Sequence, residues 1–336
     1  MTDSTDGFEG TNINPSSWFS MIMGMSESDW IKSNCVNIPA GAGTFSIYSI
    51  NELRENLKIV GNNIPIVNIY SRSKNNSIEY FDTSYLQCHT KVSNSDVPVM
   101  YQVASNFNCL EGGSHLTNHF DGSHLTDLMS DATQGPSASA GAGCGAILRL
   151  QTQFQKQQLN LLDDLDFNVI NGKVINNNFS EKSDINCIKV GLHCNVMANF
   201  ERIRSSNGKM KCIYYKDAPL IDQVFTSSIP LLRHQSAQDL KACRFLLKGA
   251  YTGTYLCAIK QKTRKLVLTL IGGGVFNNPY SEIINAIVQS HINLSKYSEL
   301  EEVDIPLYAP NADYELIAKQ FIENGYPKDK IKYHLF

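Results

Sequence analysis

From Thr44 onward the chain alternates short β-rich runs with stretches of helical spacing. TFSIYSI, IPIVNIY and VPVMYQVA are rich in Val, Ile and Tyr and bounded by turn residues, which predicts three strands. Behind Pro136, which suits a first helical position, Ile147, Leu150, Phe154 and Leu161 fall near helical spacing. They predict a helix from Ala146 onward through the QTQFQKQQLNLL run. Asn171-Gly172 between FNVI and KVI predicts a tight hairpin. CIKVGLHCNV, KMKCIYY and DQVFTSSIPLL read as further strands, and Ser236 with Asp239 sets an N-cap for a helix through LKACRFLLKGAYTGTYLCAI. LVLTLI is a continuous apolar run, as in a strand buried on both faces. Asn278-Pro279 opens a helix through IINAIVQSHI, VDIPLY is a last central strand, and ADYELIAKQFIEN is a helix stopped by Gly325. Strands alternating with helices predict a layered α/β sandwich. Residues 1–43 read as an N-terminal extension, the first seventeen or so without structure, and 44–336 as one domain.

Composition narrows the function classes. With 42% hydrophobic and 18% charged residues, the 336-residue chain can bury a sizeable core. Twenty-nine basic residues stand against 32 acidic ones and no basic run stands out, so the electrostatic footprint of a nucleic-acid binder is missing. Apolar runs such as KLVLTLIGGGVF are interrupted by glycines and fall short of the roughly 20 residues of a spanning helix, so no membrane segment is expected. The start, MTDSTDGFEGTNINPSS, lacks the basic and apolar regions of a secretory signal. Nine cysteines occur without any C-x-x-C pair, arguing against a disulfide framework or zinc ribbon and for a reducing, cytoplasmic setting.

Two segments carry candidate chemistry. In LTLIGGGVFNNP, Leu268 to Pro279, an apolar strand runs into three glycines and a helix that begins at a proline. Glycines let backbone N–H groups approach an anion, and the helix start adds the favourable end of its dipole. A tight strand-to-helix turn would use the same residues. No G-K-[ST] follows, and Asn277 replaces the third glycine of G-x-G-x-x-G, so neither a Walker loop nor a dinucleotide fingerprint is present. The second segment, Val103 to Pro136, stays polar for some thirty residues after a strand, a length that is usually functional. It holds Glu111, Asp121, Asp127 and Asp131, with His115, His119 and His124, and GSHLT occurs twice, at Gly113 and Gly122. The interspersed glycines argue against a rigid His115/His119 helix, and neither a metal nor a cofactor is assigned.

The strand into ASNFNCLE, the D-x-TQGPS-x-S-x-GAG stretch, GLHCNV, QVFTSSIPL and LTLIGGGVFNNP together resemble the macrodomain family, over roughly Thr44 to Ile322. The TQGP element resembles a divergent branch that includes the Legionella effector MavL, and GGGVFNNP resembles the diphosphate loop of poly(ADP-ribose) glycohydrolase. The resemblance implies a three-layer α/β/α sandwich with a mixed central sheet and a pocket for ADP-ribose. It implies that Gly272, Gly273, Gly274 and Val275 offer backbone N–H groups to the diphosphate, with Asn277 closing that loop and Phe276 packing on the proximal ribose. Asn106 and Phe107 fall where macrodomains carry a ribose loop, and Gln134 and Gly135 of the TQGP element belong to the ligand-binding set.

What the branch implies for activity is removal of ADP-ribose from a protein arginine, with ubiquitin as the carrier protein. Asp131 matches the acid of its motif, and Asp121 and Glu111 match upstream acids. ASNFNCLEGG replaces the N-A-A-N strand end of ordinary hydrolysing macrodomains and shifts the chemistry onto these carboxylates. An oxocarbenium-like transition state at ribose C1″ gains from nearby carboxylate charge. The rival reading is a module that binds ADP-ribose or an ADP-ribosylated protein without cleaving it. Carboxylates beside the ribose would oppose a ligand with two phosphate charges, which favours the enzyme.

Overall fold

The computed structural model describes residues 10–13, 18–34, 36–55, 57–61, 63–71, 98–110, 142–153, 157–177, 179–204, 210–231, 236–307 and 314–335. Thirteen strands and seven α-helices are found in them. The strands are β1 (Gly10–Ile13), β2 (Thr44–Ser49), β3 (Ile66–Ser71), β4 (Met100–Ala104), β5 (Phe167–Ile170), β6 (Lys173–Asn177), β7 (Lys189–Met197), β8 (Phe200–Arg204), β9 (Met210–Tyr215), β10 (Leu220–Thr226), β11 (Lys265–Val267), β12 (Glu302–Pro306) and β13 (Ile331–Leu335). The helices are α1 (Trp18–Met23), α2 (Glu27–Lys32), α3 (Ile50–Arg54), α4 (Gly143–Gln153), α5 (Ala237–Gln261), α6 (Tyr280–Leu294) and α7 (Tyr314–Glu323).

The central sheet has eight strands in the order β13-β3-β12-β11-β4-β10-β7-β2. It is mixed: β13 through β10 run parallel, while β7 is antiparallel to both β10 and β2. Helices cover both faces, as β7 makes plain. Val190 points at Gly253 of α5, where an added Cβ would lie 2.5 Å from Val190 Cγ1, while His193 meets Arg149 of α4 on the opposite face. The expected α/β layering is therefore present. Long α5 starts in a capping box, with Ser236 Oγ accepting from the Asp239 amide and the Asp239 carboxylate accepting from the Ser236 amide, and it ends at Lys262 in the left-handed conformation. Among the described residues no helix is long and apolar enough to cross a membrane.

The structure departs from the sequence pattern in three places. The expected helix from Ala146 does not run on to Leu161; α4 ends at Gln153. The Gln153 side chain donates to the carbonyls of Asn108 and Arg149 and accepts from the Leu159 amide, and residues 157–160 are not helical. Leu161 then packs into the core from a turn. LVLTLI is a strand only through Val267; beyond it the Thr269 amide bonds the Gln102 side chain instead of a neighbouring strand. Gly10–Ile13, in the stretch expected to be without structure, pairs antiparallel with β9. C-terminal to that stretch, Trp30 is fully buried against Phe19 and donates from Nε1 to the Asn37 carbonyl.

Candidate functional site at the carboxyl edge of the parallel strands

Strands β10, β4 and β11 run parallel side by side, so their carboxyl ends open onto one edge of the sheet. Met100 faces Asp222 on one side and Leu266 on the other. Six residues on from that row, in the same order, stand Ser228, Asn106 and Gly272. In open α/β sheets this edge is where ligands collect.

The Gly272 loop is built from both sides. Tyr251 of α5, fully buried, donates its hydroxyl to the Thr269 carbonyl at 2.7 Å and accepts from the Ile271 amide at 3.0 Å, pinning the loop's entry. The exit is pinned by Asn278, whose side-chain amide donates to the carbonyls of Ile229 at 2.7 Å and Phe276 at 3.2 Å. The Leu231 amide also donates to Phe276 O, and the Asn278 amide to Gly272 O. This ties the loop to the chain leaving β10. Gly272 has φ +75° and Asn277 φ +53°, the left-handed region that glycine and asparagine tolerate best.

Within this frame the Gly273 amide is used internally, donating to Leu270 O at 2.9 Å, and the Asn277 amide donates to Gly274 O. The amides of Gly272, Gly274, Val275 and Phe276 bond nothing among the described residues. Gly273, Gly274, Val275 and Asn277 are exposed, Val275 almost completely, and Phe276 is half-buried. α6 starts immediately behind, with Pro279 at its cap and no side chain satisfying its first amides. Beneath the loop, Ser228 Oγ and Asn278 Oδ1 are buried with no hydrogen-bond partner among the described residues. A Cβ built on Gly272 would lie 2.4 Å from the first and 2.1 Å from the second. Unpaired buried polar atoms are rare and costly in a folded protein. Four unused amides and the orphaned Ser228 hydroxyl form a set of donors suited to an anion, whereas Asn278 Oδ1 can only accept.

On the β4 side, Asn106 is half-buried while Phe107 is 2% exposed and part of the core. The loop they open, Ser105 to Leu110, is held by Arg149 and Gln153 of α4, which donate to the carbonyls of Cys109 and Asn108 at 2.9 Å each. Arg149 is fully buried, its guanidinium carbon 3.8 Å from the centre of the Phe225 ring. Its Nη1 sits 2.9 Å from His193 Nδ1. Because guanidinium only donates, Nδ1 accepts, and the His193 proton sits on Nε2 facing the Ala42 carbonyl. Burial, reinforced by the Arg149 charge, pushes His193 down to about 3.

Of the residues singled out from sequence, Asn106, Phe107 and Gly272 to Asn277 lie along this edge. Glu111, Asp121, Asp131, Gln134 and Gly135 lie outside the described residues. Among the described residues no cluster of His, Cys, Asp and Glu could hold a metal. Ser228, Asn278 and Arg149 were not anticipated; TSSIP and FNNP carry the first two in plain view, but only the fold brings them under Gly272. Replacing Asn278 by Ala strips the donor from two carbonyls. It is expected to lower unfolding free energy by about 1–3 kcal/mol, read as a reduced urea midpoint with an unchanged slope.

Fold and site together describe an α/β protein with a glycine-lined cradle at the carboxyl edge of a mixed sheet. No family model matches the sequence, and no curated protein does. Among solved structures, the chain is similar to the poly(ADP-ribose) glycohydrolase from Deinococcus radiodurans in complex with ADP-ribose, at 12% identity over 86% of this chain and 98% of that one, TM-score 0.46. The poly(ADP-ribose) glycohydrolase from Thermomonospora curvata is similar at 12% identity over 88% of each chain, TM-score 0.44. The Oceanobacillus iheyensis macrodomain with MES bound is similar at 16% identity over 68% of this chain and 86% of that one, TM-score 0.35.

Proposed function

We propose that the protein is an ADP-ribosylhydrolase that removes mono-ADP-ribose from a protein side chain, with arginine as the linked residue and ubiquitin as the carrier. The observation that carries this reading is the cradle: four unused amides, an uncapped helix start and the orphaned Ser228 hydroxyl meet at Gly272. A diphosphate fits such a donor set. The acid-bearing segment supports a hydrolase, since Glu111 directly follows Leu110, the last residue of the loop that starts at Asn106. The resemblance of GGGVFNNP and D-x-TQGPS to macrodomain elements supplies the nucleotide and the arginine linkage.

In this mechanism the diphosphate is held by the Gly272 loop and the terminal ribose lies toward Asn106. Carboxylate charge from Asp131, with Asp121 and Glu111, stabilises the oxocarbenium-like centre as the bond from C1″ to the guanidine nitrogen breaks. One acid gives the leaving guanidine its proton, and water deprotonated by a carboxylate adds to C1″, releasing free ADP-ribose.

The deciding experiment incubates the full chain with arginine-, glutamate- and serine-linked ADP-ribosyl proteins, arginine-modified ubiquitin among them, alongside calorimetric titration with ADP-ribose. Release from the arginine linkage is expected. Binding without release from any linkage makes the protein a reader instead, and neither binding nor release removes ADP-ribose from consideration. Asp131→Ala is expected to lower turnover at least tenfold while binding persists; turnover within twofold of the unsubstituted chain overturns the role given to Asp131.

A further inference from the structure

The β5–β6 hairpin pairs with neither of the other sheets. A two-stranded hairpin alone is marginal in water, and this one is anchored by Phe167, which stacks with Phe179 and Phe245, ring centres 6.2 and 6.4 Å away, and by buried Val174. Phe245 belongs to α5, so the hairpin is fastened to the same helix whose Tyr251 pins the Gly272 loop.

Its turn, Asn171-Gly172, has positive φ at both residues, 52° and 72°, the pairing that a two-residue hairpin turn demands. That turn is pressed against the loop after β4. The Phe107 amide donates to Gly172 O at 2.7 Å, and the Phe107 carbonyl accepts from the Leu161 amide at 2.9 Å. A Cβ on Gly172 would lie 2.6 Å from Asn108 Cγ, 2.7 Å from Asn108 Oδ1 and 2.8 Å from Asn106 Cβ. From Phe107 to Leu110 every residue of the loop is buried. Asn106 alone keeps part of its surface open, and its Cβ rests where a side chain on Gly172 would have to go.

We propose that the Asn171-Gly172 turn is a positioning element for the terminal ribose: the bare α-carbon of Gly172 fixes where the Asn106 amide stands, and Asn106 reads ribose hydroxyls. An amide suits that task, because it offers both a donor and an acceptor to vicinal hydroxyls. The inference rests on the ADP-ribose reading above and deepens it, assigning the sugar end of the site to the hairpin and the diphosphate end to the Gly272 loop.

ADP and ADP-ribose separate the two ends, because ADP carries the diphosphate and lacks the terminal ribose. By calorimetry, Gly172→Ala is expected to weaken ADP-ribose at least tenfold while ADP stays within twofold. A turn that serves folding alone would weaken both ligands together or neither, and either result overturns the proposal. Thermal unfolding shows whether Gly172→Ala is folded. Should it not be, Asn106→Ala, which introduces no clash, decides the matter: it is expected to give the same selective loss, and an unchanged preference for ADP-ribose over ADP overturns the proposal. When both variants fold, combining them should add no more than twofold to the larger single loss. An unsubstituted chain that binds neither ligand defeats the ADP-ribose reading itself. One that binds both, with variants that keep the preference, defeats only the role of the turn.

Discussion

Gly272→Ala is expected to weaken ADP-ribose binding by about 60-fold or more. Two costs add. The backbone at Gly272 has φ +75°, and an L-residue held in the left-handed region costs roughly 1–2 kcal/mol. The new methyl would also sit 2.1 Å from Asn278 Oδ1 and 2.4 Å from Ser228 Oγ, both buried and unable to swing into solvent. The loop must move, and each amide that no longer reaches a phosphate oxygen forfeits a hydrogen bond to a charged group, about 1.5–3 kcal/mol. One such loss plus the strain comes to about 2.5–5 kcal/mol, and 1.4 kcal/mol is a factor of ten. Gly274→Ala is the matched comparison. Its added Cβ meets nothing within 4 Å and its φ is not positive, so its thermal midpoint should match that of the unsubstituted chain. Calorimetry of Gly272→Ala decides: affinity within twofold of the parent protein would take the diphosphate away from this loop.

Acid should destabilise the protein steeply, beginning near pH 6.5. Two fully buried histidines are held neutral. Burial and Arg149 push His193 down to about 3. Burial pushes His291 down to about 3 as well, in a cage of Tyr255, Phe321 and Tyr326 with the Tyr255 hydroxyl 2.9 Å from its Nδ1. Above pH 6.5 neither histidine binds a proton in either state, and stability is unaffected. Between about 6.5 and 3 the unfolded chain takes up two protons that the native state refuses, so stability falls with pH, by at most about 1.4 kcal/mol per pH unit for each group.

Asp222 acts in the opposite sense. Burial raises it to about 6 although the Asn195 amide donates to it, so from about 6 down to its ordinary value near 3.8 the native state holds one proton more than the unfolded chain. That offsets one histidine in this window and leaves a net slope of at most about 1.4 kcal/mol per pH unit. Urea unfolding at pH 7, 6 and 5 reads the slope directly. His291→Leu should flatten it, since the apolar side chain of similar reach has nothing to protonate. A slope unchanged by that substitution would mean that His291 does not stay neutral in the native protein.

The alternation of strand and helix patterns was enough to place most of the central sheet, because half-buried and fully buried strands leave different hydrophobic periods in the sequence. β2 and β4 lie within segments read as strands, and β3, β7, β10 and β12 overlap such segments, each running one or two residues beyond one end. Turn chemistry was equally local: Asn171-Gly172 sits where a hairpin turn needs two positive φ values. What failed was propagation. Ile147 and Leu150 mark a helix, but Leu161 satisfies the same spacing from a turn, and the Gln153 side chain is engaged with the loop after β4 through the Asn108 carbonyl. β13 was not read as a strand although IKYHL alternates apolar and polar residues; it pairs parallel with β3 at the edge of the sheet.

By itself the sequence determined part of the chemical inventory of the candidate site: a glycine-rich loop ahead of a helix that starts at a proline, and a strand running toward Asn106. Those follow from residue type and spacing over a dozen positions or fewer. Only the tertiary structure decided which of them meet. Asn106, Ser228 and Gly272 are more than a hundred residues apart in the case of the first two and reach one edge because β4, β10 and β11 are parallel neighbours in register. The buried Arg149–His193 contact, the orphaned Ser228 hydroxyl under Gly272 and the Gly172 turn against Asn106 are likewise contacts between distant segments. Their partners are chosen by strand order and packing, and neither leaves a period or a motif along the chain.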